Sequence, residues 1–382
     1  MIKSKSIYVI NIDEEGRFGG PERRIVNVAK ELSNIGVRTT IVMPHLDSDI
    51  FEKYATENNV DYKKLNITRL TLEKKYLLKY VVRFFFELIL LYKFLRKENP
   101  DVVHVNGAYQ FKSILAAFLA KKKIVWHLNN QHAHKAVKFV FDFLKKHMSL
   151  SFIVASQKAK EYFIPNASYN TFVTEIHAPI IPGEILQKKN YNFSDEIVIG
   201  TITNMSPQKD IVTFIRAAHQ IKLNYPNVVF CIGGAIHSSQ KEHYNKIMLE
   251  IKRLDMVESI QFVGFVLDVP LFLSSLDIFI NTSAWEGSPT AVWEALAAAL
   301  PVVTTDVGST GYYVGRLNGG LVSDVYDYMN ISYNACKFVE NISLREEYGV
   351  RAREIAHTYL TVEKCAVLHK QHYMNLIKEE EK

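Results

Sequence analysis

A repeated switch of hydrophobic period constrains this chain most. Short, wholly apolar runs alternate with segments whose apolar residues recur every three to four positions. In the first half the runs are SIYVI (6–10), TTIVM (39–43), DVVHV (101–105), KIVWHL (123–128) and SFIVAS (151–156). In the second half they are EIVIGTI (196–202), NVVFCIGG (227–234), SIQFVG (259–264), LDIFIN (276–281) and LPVVTTD (300–306). Runs this short with no polar alternation predict strands covered on both faces, and helices between them dictate parallel sheets. Between the first two runs, PERRIVNVAKELSNIG places Ile25, Val28, Ala29, Leu32 and Ile35 on one helical face. Pro21 suits the first turn and Gly36 the C-terminal cap. Further helices are expected near 210–224, 239–254, 270–275 and 289–299, and 343–382 reads as helical throughout. The pattern therefore predicts an α/β chain of two doubly wound domains in tandem.

The stretch 178–194 has two prolines, a glycine and little periodicity, and predicts a linker over 181–194. The expected domains are 1–180 and 195–360, with a C-terminal helix at 361–382 packing back on the first. The chain of 382 residues suits this division, at roughly 150 residues per domain.

Charge separates the halves. Residues 1–190 carry 30 Lys+Arg against 18 Asp+Glu, a net +12, and residues 191–382 carry 16 against 22, a net −6. Only the first half is suited to an anionic surface; the charge is read first as a solvated lysine-rich face and, as the alternative, as attraction to an anionic membrane. No nucleic-acid module accompanies the charge. Cys231, Cys336 and Cys365 are too scattered for a disulfide framework or metal knuckle, and the first ten residues lack a signal-peptide core, so a cytoplasmic chain is expected. YLLKYVVRFFFELILLYKFL (76–95) is very apolar, but Lys79, Arg83, Glu87 and Lys93 exclude a spanning helix. It is expected to bury in the first domain as a core helix; the alternative is partial insertion at a membrane surface.

Open α/β sheets bind ligands at the carboxyl ends of their strands. The first such loop, NIDEEGRFGGPERR, offers Gly16, Gly19 and Gly20 for close backbone approach ahead of a helix N-terminus. After the first strand of the second domain comes GTITNMSPQKD, with Lys209 at the start of a helix, where an ammonium can hold a phosphate. A third loop, SAWEGSPTAVWEALAAAL, puts Glu286 at the end of a strand and Glu294 about five residues into a helix that starts after Pro289. The amides of Gly287, Ser288 and the first turn, from Thr290, lie between the two carboxylates. A phosphate on those amides would have one hydroxyl-binding carboxylate on either side, which describes a sugar, a diphosphate and a ribose. Paired glycosidase carboxylates need a cleft between them, and a metal site needs more ligands than cluster here.

EGSPTAVWEALAAALPVVTTDVG resembles the E-x7-E segment of the retaining glycosyltransferases of family 4, whose GT-B fold sets two Rossmann-like domains facing a cleft. GGPERRIVNVAKEL, PDVVHVNG (100–107), SPQKD (206–210), SIQFVGFVLDVPLFLSSLDIFINTS (259–283) and GGLVSD (319–324) match in the same order. The resemblance implies a hexosyltransferase-type enzyme that needs no metal and takes a nucleotide-diphosphate sugar, with UDP or GDP, as co-substrate. It implies Glu286, His127 and Lys209 as catalytic. The implied donor site comprises Gly19, Gly20, Asn204, Lys209, Glu286, Gly287, Ser288, Pro289, Thr290 and Glu294. Here Glu286 meets the sugar, Glu294 the ribose and Lys209 the diphosphate, while Gly19 and Gly20 approach from the first domain and His127 stands beside the reacting sugar. The implied acceptor is a glycan or lipid-linked glycan in surface-polysaccharide or lipopolysaccharide assembly, reached from the cytoplasm or the inner face of the membrane.

Two positions depart from the family pattern. Asn204 stands where an arginine is common five residues before the lysine, and Tyr312 where a glutamate often follows the DVGG turn. They leave open a weak or silent nucleotide-sugar-binding protein. A nucleotide-sugar epimerase is the other alternative; a nicotinamide oxidoreductase is disfavoured because Gly16, Gly19 and Gly20 do not fit GxGxxG.

Overall fold

The computed structural model describes residues 6–71, 74–165, 172–180, 196–236 and 240–378. The expected linker at 181–194 lies outside them. The chain forms two compact units, Met1–Pro179 with Val362–Lys382, and Ile180–Thr361. Each is a parallel sheet with helices on both faces, as the alternating periods dictate.

The first unit runs β1 (Ile7–Ile12), α1 (Gly20–Asn34), β2 (Val37–Pro44), α2 (Asp49–Glu57), β3 (Tyr62–Leu65), α3 (Lys74–Glu98), β4 (Val102–Asn106), α4 (Phe111–Leu119), β5 (Lys123–Leu128), α5 (Lys135–His147), β6 (Ser151–Val154), α6 (Gln157–Phe163) and β7 (Val173–Glu175). Its strand order is β3-β2-β1-β4-β5-β6-β7, so the order reverses between β1 and β4. Trp126, Phe141, Phe152 and Phe163 fill one side of the sheet. On the other side, the last helix of the chain, α13 (Val362–Lys378), packs Val362, Cys365, Ala366 and Tyr373 against Val9, Val102, Val125 and the Val28 and Leu32 face of α1.

The second unit runs β8 (Ile197–Ile202), α7 (Ile211–Asn224), β9 (Val228–Gly233), α8 (Lys241–Arg253), β10 (Ile260–Gly264), α9 (Val269–Ser274), β11 (Ile278–Asn281), α10 (Thr290–Ala297), β12 (Val302–Thr305), β13 (Gly320–Ser323), α11 (Tyr328–Glu340) and α12 (Ile342–Tyr359). Its order is β10-β9-β8-β11-β12-β13, which reverses between β8 and β11. The helical tail expected as one piece is two helices, broken at Leu360 and Thr361, where Ile180 bridges Thr361.

Helix α3 meets the expectation of a core helix in its second half, where Leu91 and Leu95 are buried in the core of the first unit, and departs from it in its first half. There the Arg83–Glu87 side turns inward: Glu87 is buried and accepts hydrogen bonds from Arg83 Nε at 2.7 Å, Thr68 N at 2.9 Å and the buried Lys112 ammonium. Its apolar stripe turns outward, with Leu78, Val81, Val82, Phe85, Phe86 and Ile89 each 52–74% exposed. The physical reason is the partner on α4. Lys112 is wholly buried and needs a counter-charge, and Glu87 supplies it, so the polar side of α3 is the side that docks. Among the described residues no helix is long and apolar enough to cross a membrane.

Candidate functional site

Ligands in doubly wound sheets sit where the strand order reverses, at the carboxyl ends of the two strands flanking that point. In the second unit those strands are β8 and β11. The loop after β8 makes a short 3-10 turn at Pro207–Lys209, and Asp210, with φ +44°, caps α7 by accepting from Thr213 N. The loop after β11 is tied to it: Ala284 N donates to Gln208 O at 2.8 Å, Gln208 Nε2 to Trp285 O at 2.8 Å, and Thr282 Oγ1 to Asp210 O at 3.0 Å. This stitching sets Lys209 against Glu286. Glu286 is 6% exposed and pairs through Oε1 with Lys209 Nζ and, at 2.8 Å, with Ser283 Oγ; Oε2 accepts from Gln208 Nε2 at 3.3 Å.

A glycine shapes the far wall. Gly308 has φ +57°, and a Cβ there would come within 3.0 Å of Gly287 O and 3.3 Å of Pro289 Cδ, so only glycine lets the turn after β12 press on the Glu286–Pro289 loop. Pro289 precedes the first turn of α10, which starts at Thr290 with no side-chain cap. Ser288 Oγ accepts from Trp293 Nε1 at 2.9 Å, which fixes the loop to the buried face of the helix. Glu294, one turn on, is half-buried. Asn204 spends its Oδ1 on Ser206 N at 3.1 Å, holding the loop where the family pattern has an arginine. Tyr312 lies in a π-helical turn, Gly311–Arg316, and is 46% exposed, its ring edge-on to Tyr313. Lys209, Glu286, Gly287, Ser288, Pro289 and Thr290 thus come together in one unit, with Asn204 on the same β8 loop and Glu294 on the helix they lead into.

In the first unit the reversal lies between β1 and β4, and a cavity of about 290 Å³ opens there. Asp13, Glu14 and Glu22 from the β1–α1 segment, Tyr109 and Gln110 after β4, and Asn129 after β5 line it. Packing does not demand Gly19 or Gly20. An added methyl at Gly20 meets nothing within 4 Å, and one at Gly19 meets first the Glu22 carboxylate at 3.4 Å. Burial raises the Asp13 carboxyl to about 6, and burial with the nearby Asp13 charge raises Glu22 to about 8. These acids passed unremarked in the sequence, although they flank the glycines that drew attention.

His127 does not line that cavity. It is wholly buried on β5, where Arg24 Nη1 donates to Nε2 at 2.6 Å and His104 Nε2 lies 3.1 Å from Nδ1. Arg24 has only donors, so His127 Nε2 accepts, His127 Nδ1 donates to His104, and His104 Nδ1 donates to Tyr373 Oη at 2.8 Å. Burial first, and Arg24 second for His127, hold both histidines well below their usual pKa. The ligand atoms of His104, His127 and His369 all lie within 4.8 Å of one another. They do not suit a metal: the His127 Nε2 lone pair is taken by a guanidinium, and a fixed cation already occupies the cluster. The network instead ties α13 to the sheet. Arg24 also donates to Asn106 Oδ1 at 2.8 Å, so it is committed within its own unit.

Comparison with known proteins now bears on this geometry. The signature of "Glycosyltransferase Family 4" matches residues 18–176, and that of "Glycosyl transferases group 1" matches residues 184–355. The chain belongs to glycosyltransferase family 4. An Escherichia coli UDP-Gal:alpha-D-GlcNAc-diphosphoundecaprenol alpha-1,3-galactosyltransferase is 28% identical over 267 residues, 63% of this chain and 66% of that enzyme. The Escherichia coli O-antigen biosynthesis glycosyltransferase WclY is 24% identical over 303 residues, 75% of this chain and 77% of that one. Among solved structures, Anabaena HepE in complex with UDP superposes with a TM-score of 0.80 at 18% identity, covering 97% of this chain and all of HepE. Staphylococcus aureus TarM gives 0.74 at 14% identity, over 97% and 99% of the two chains. The fold is GT-B, and this family 4 chain is a glycosyltransferase with relatives in O-antigen and polysaccharide assembly.

Proposed function

We propose that this glycosyltransferase moves a sugar, with retention at its anomeric carbon, from a nucleoside diphosphate to a glycan or lipid-linked acceptor in bacterial surface-polysaccharide assembly. The observation that carries the reading is the Lys209–Glu286 pair at the β8/β11 reversal, ahead of an uncapped helix start. Lys209 faces the diphosphate, and with the α10 N-terminus it neutralises the charge that grows on the leaving oxygen, without a metal. Glu286, held by Ser283 and Gln208, accepts from the sugar's hydroxyls, and Glu294 from the ribose. The bond from the anomeric carbon to the diphosphate oxygen breaks, an acceptor oxygen bonds to the same face, and its proton leaves with the diphosphate. UDP or GDP is the expected nucleotide; HepE, of the same fold, is named as a complex with UDP.

Peripheral contact with an anionic membrane on the cytoplasmic side belongs to the same reading. It is supported by the outward apolar stripe of α3 with exposed Lys79, Lys93, Arg96 and Lys97 on the same helix, and by the +12 charge of residues 1–190.

Thermal stabilisation by UDP, GDP, ADP and CMP tests the donor site. A nucleotide at about 100 times its dissociation constant adds roughly 2.7 kcal/mol. One diphosphate is expected to raise the melting temperature, and Lys209→Ala and Glu294→Ala to abolish most of the rise. Failure of all four, and of their sugar conjugates, would overturn the donor site, whereas stabilisation without turnover would favour the silent nucleotide-sugar-binding alternative.

A further inference from the structure

One polar side chain interrupts an otherwise apolar row in β2. Val37, Thr39, Ile41 and Met43 alternate to one face of the strand, and all four are buried. The three apolar ones join the clusters beneath α1 and α2. Thr39 is 6% exposed, and its hydroxyl has no hydrogen-bond partner. Buried polar atoms are almost always paired, and a valine would give the same shape without the orphan, so the hydroxyl points to a ligand. Thr39 lines a cavity of about 410 Å³ between the C-terminal ends of α1 and α2. This cavity lies at the amino end of β2, the opposite end from the one at which doubly wound sheets take their ligands, and about 20 Å along α1 from Gly20. Its size falls within the roughly 300–1,000 Å³ of small-molecule sites.

The lining also carries positive charge that the chain leaves largely unmatched. Among the described residues, Lys30 Nζ reaches only the Asn58 amide oxygen, at a long 3.4 Å. Arg38 has one carboxylate near it, Asp61 at 3.9 Å, too far for a hydrogen bond, and stacks over the Tyr8 ring at 4.6 Å. Asp61 is the single acid in the lining against these two cations. The C-terminal ends of two helices would repel an anion if their carbonyls were bare. They are not: Lys370 Nζ donates to Ile35 O at 2.6 Å, while Asn58 N and Nδ2 donate to Tyr54 O at 3.2 and 2.9 Å.

The ligand must therefore bring acceptors and negative charge. A metal ion or ammonium would meet Lys30 and Arg38, and a neutral polyol would leave both without a counter-charge. Donors come from α1, from Arg38 and from the Thr39 hydroxyl, on two different elements, which suits the tetrahedral oxygens of a phosphate better than the two coplanar oxygens of a carboxylate. A bare phosphate would leave much of the space empty. A phosphate carried on a small polar body would fill it, the body meeting Ser33, Asn34 and Asn59.

We infer that the cavity between α1 and α2 is a small-molecule site, separate from the ligand ends of both sheets, that takes a soluble phosphate ester on Lys30, Arg38 and Thr39 Oγ1. Methyl NMR of the full chain, with labelled valine, reads it through Val37 and Val60, which line the cavity. The probes are glucose 6-phosphate, inorganic phosphate and, as the uncharged match, methyl glucoside, at constant ionic strength. Phosphatidic acid vesicles offer the same phosphate on a lipid. Glucose 6-phosphate is expected to shift both valines saturably, inorganic phosphate more weakly, and methyl glucoside and the vesicles not at all. Thr39→Val, which keeps the shape, is expected to weaken binding roughly fivefold with no fall in melting temperature. Lys30→Ala with Arg38→Ala is expected to weaken it roughly tenfold or more. Both of these side chains are exposed, so the pair tests the site even if Thr39→Val does not fold. Four results would overturn the inference: neither phosphate compound shifts the valines, methyl glucoside shifts them as strongly, only the vesicles shift them, or the folded variants bind as the wild type does.

Discussion

Removing the Lys112 ammonium should unfold the first unit far more readily than an ordinary surface change. The lysine is 0% exposed; its Nζ contacts Glu87 Oε2 and the Thr68 carbonyl, lies 3.6 Å from Glu14 Oε2 and sits 4.2 Å from the Tyr80 ring centroid. Glu87 is held below its usual range only because the pairing with Lys112 and hydrogen bonds from Thr68 and Arg83 outweigh its burial. Lys112→Met keeps the stem and deletes the charge, leaving two buried carboxylates without their cation. Breaking one partner of a buried pair costs about 3–5 kcal/mol. For a unit of this size, each kcal/mol is worth roughly 2–4 °C, so the melting temperature should fall by roughly 6–20 °C. Hydrogen exchange of the β4 and β5 peptides, followed through a urea titration, isolates this unit from the other. Adding Glu87→Leu to Lys112→Met should restore at least half of the loss, because an apolar pair replaces a broken ionic one. A loss below about 1 kcal/mol for Lys112→Met, or no recovery in the double variant, would refute the claim that Lys112 dictates which face of α3 docks.

Other outcomes follow from the same geometry. Glu22, raised to about 8 by burial first and the Asp13 charge second, binds its proton more tightly folded than unfolded. Its stability contribution is therefore full below pH 4.5 and lost as pH rises toward 8, and Glu22→Gln should gain on the wild type between pH 5 and 8 in urea titrations. His369 and His372, lowered by burial to about 3 and 4, act in the opposite sense: stability present at neutral pH is lost as pH falls from 6.5 through those values. Asn204→Arg should tighten nucleoside-diphosphate binding by about 1.5 kcal/mol, roughly tenfold, by adding a charge-assisted hydrogen bond, as measured by calorimetry. Val82→Ser with Phe85→Ser should reduce sedimentation with anionic vesicles at low salt while leaving nucleotide stabilisation unchanged, since both side chains are 74% exposed on α3.

The buried strands were legible because each is an apolar run cut off by turn residues and followed by a helical period. The strands missed are β3, β7 and β13, all outermost in their sheets. YKKL, VTE and GLVS are short and largely polar or half-exposed, as edges must be, so composition hides them and only pairing reveals them. The orientation of α3 was illegible for another reason: periodicity shows two stripes but not which one meets a partner, and the partner, Lys112, lies in a different helix. On the donor side, Lys209 and Glu286 were each picked out by their loops, while their direct pairing depends on β8 and β11 being neighbours. The enclosure of the His127 ring by Arg24 and His104 could not be read either, because these neighbours come from α1 and β4 and no local spacing announces them. Asp13, Glu14, Gln110 and Asn129 carried no spacing signal; they converge only after β1, β4 and β5 lie side by side.

The most direct test of the central claim is phosphorus NMR of the purified chain with UDP-, GDP- and ADP-sugars and a lipid-linked glycan acceptor, in chelator, with proton NMR of the product's anomeric position. The account predicts that one donor disappears with stoichiometric release of its nucleoside diphosphate, that the new glycosidic bond keeps the donor's anomeric configuration, and that Lys209→Ala slows release at least a hundredfold, in the range seen when one transition-state donor is removed. Unchanged turnover in Lys209→Ala, or product of inverted configuration, would contradict it.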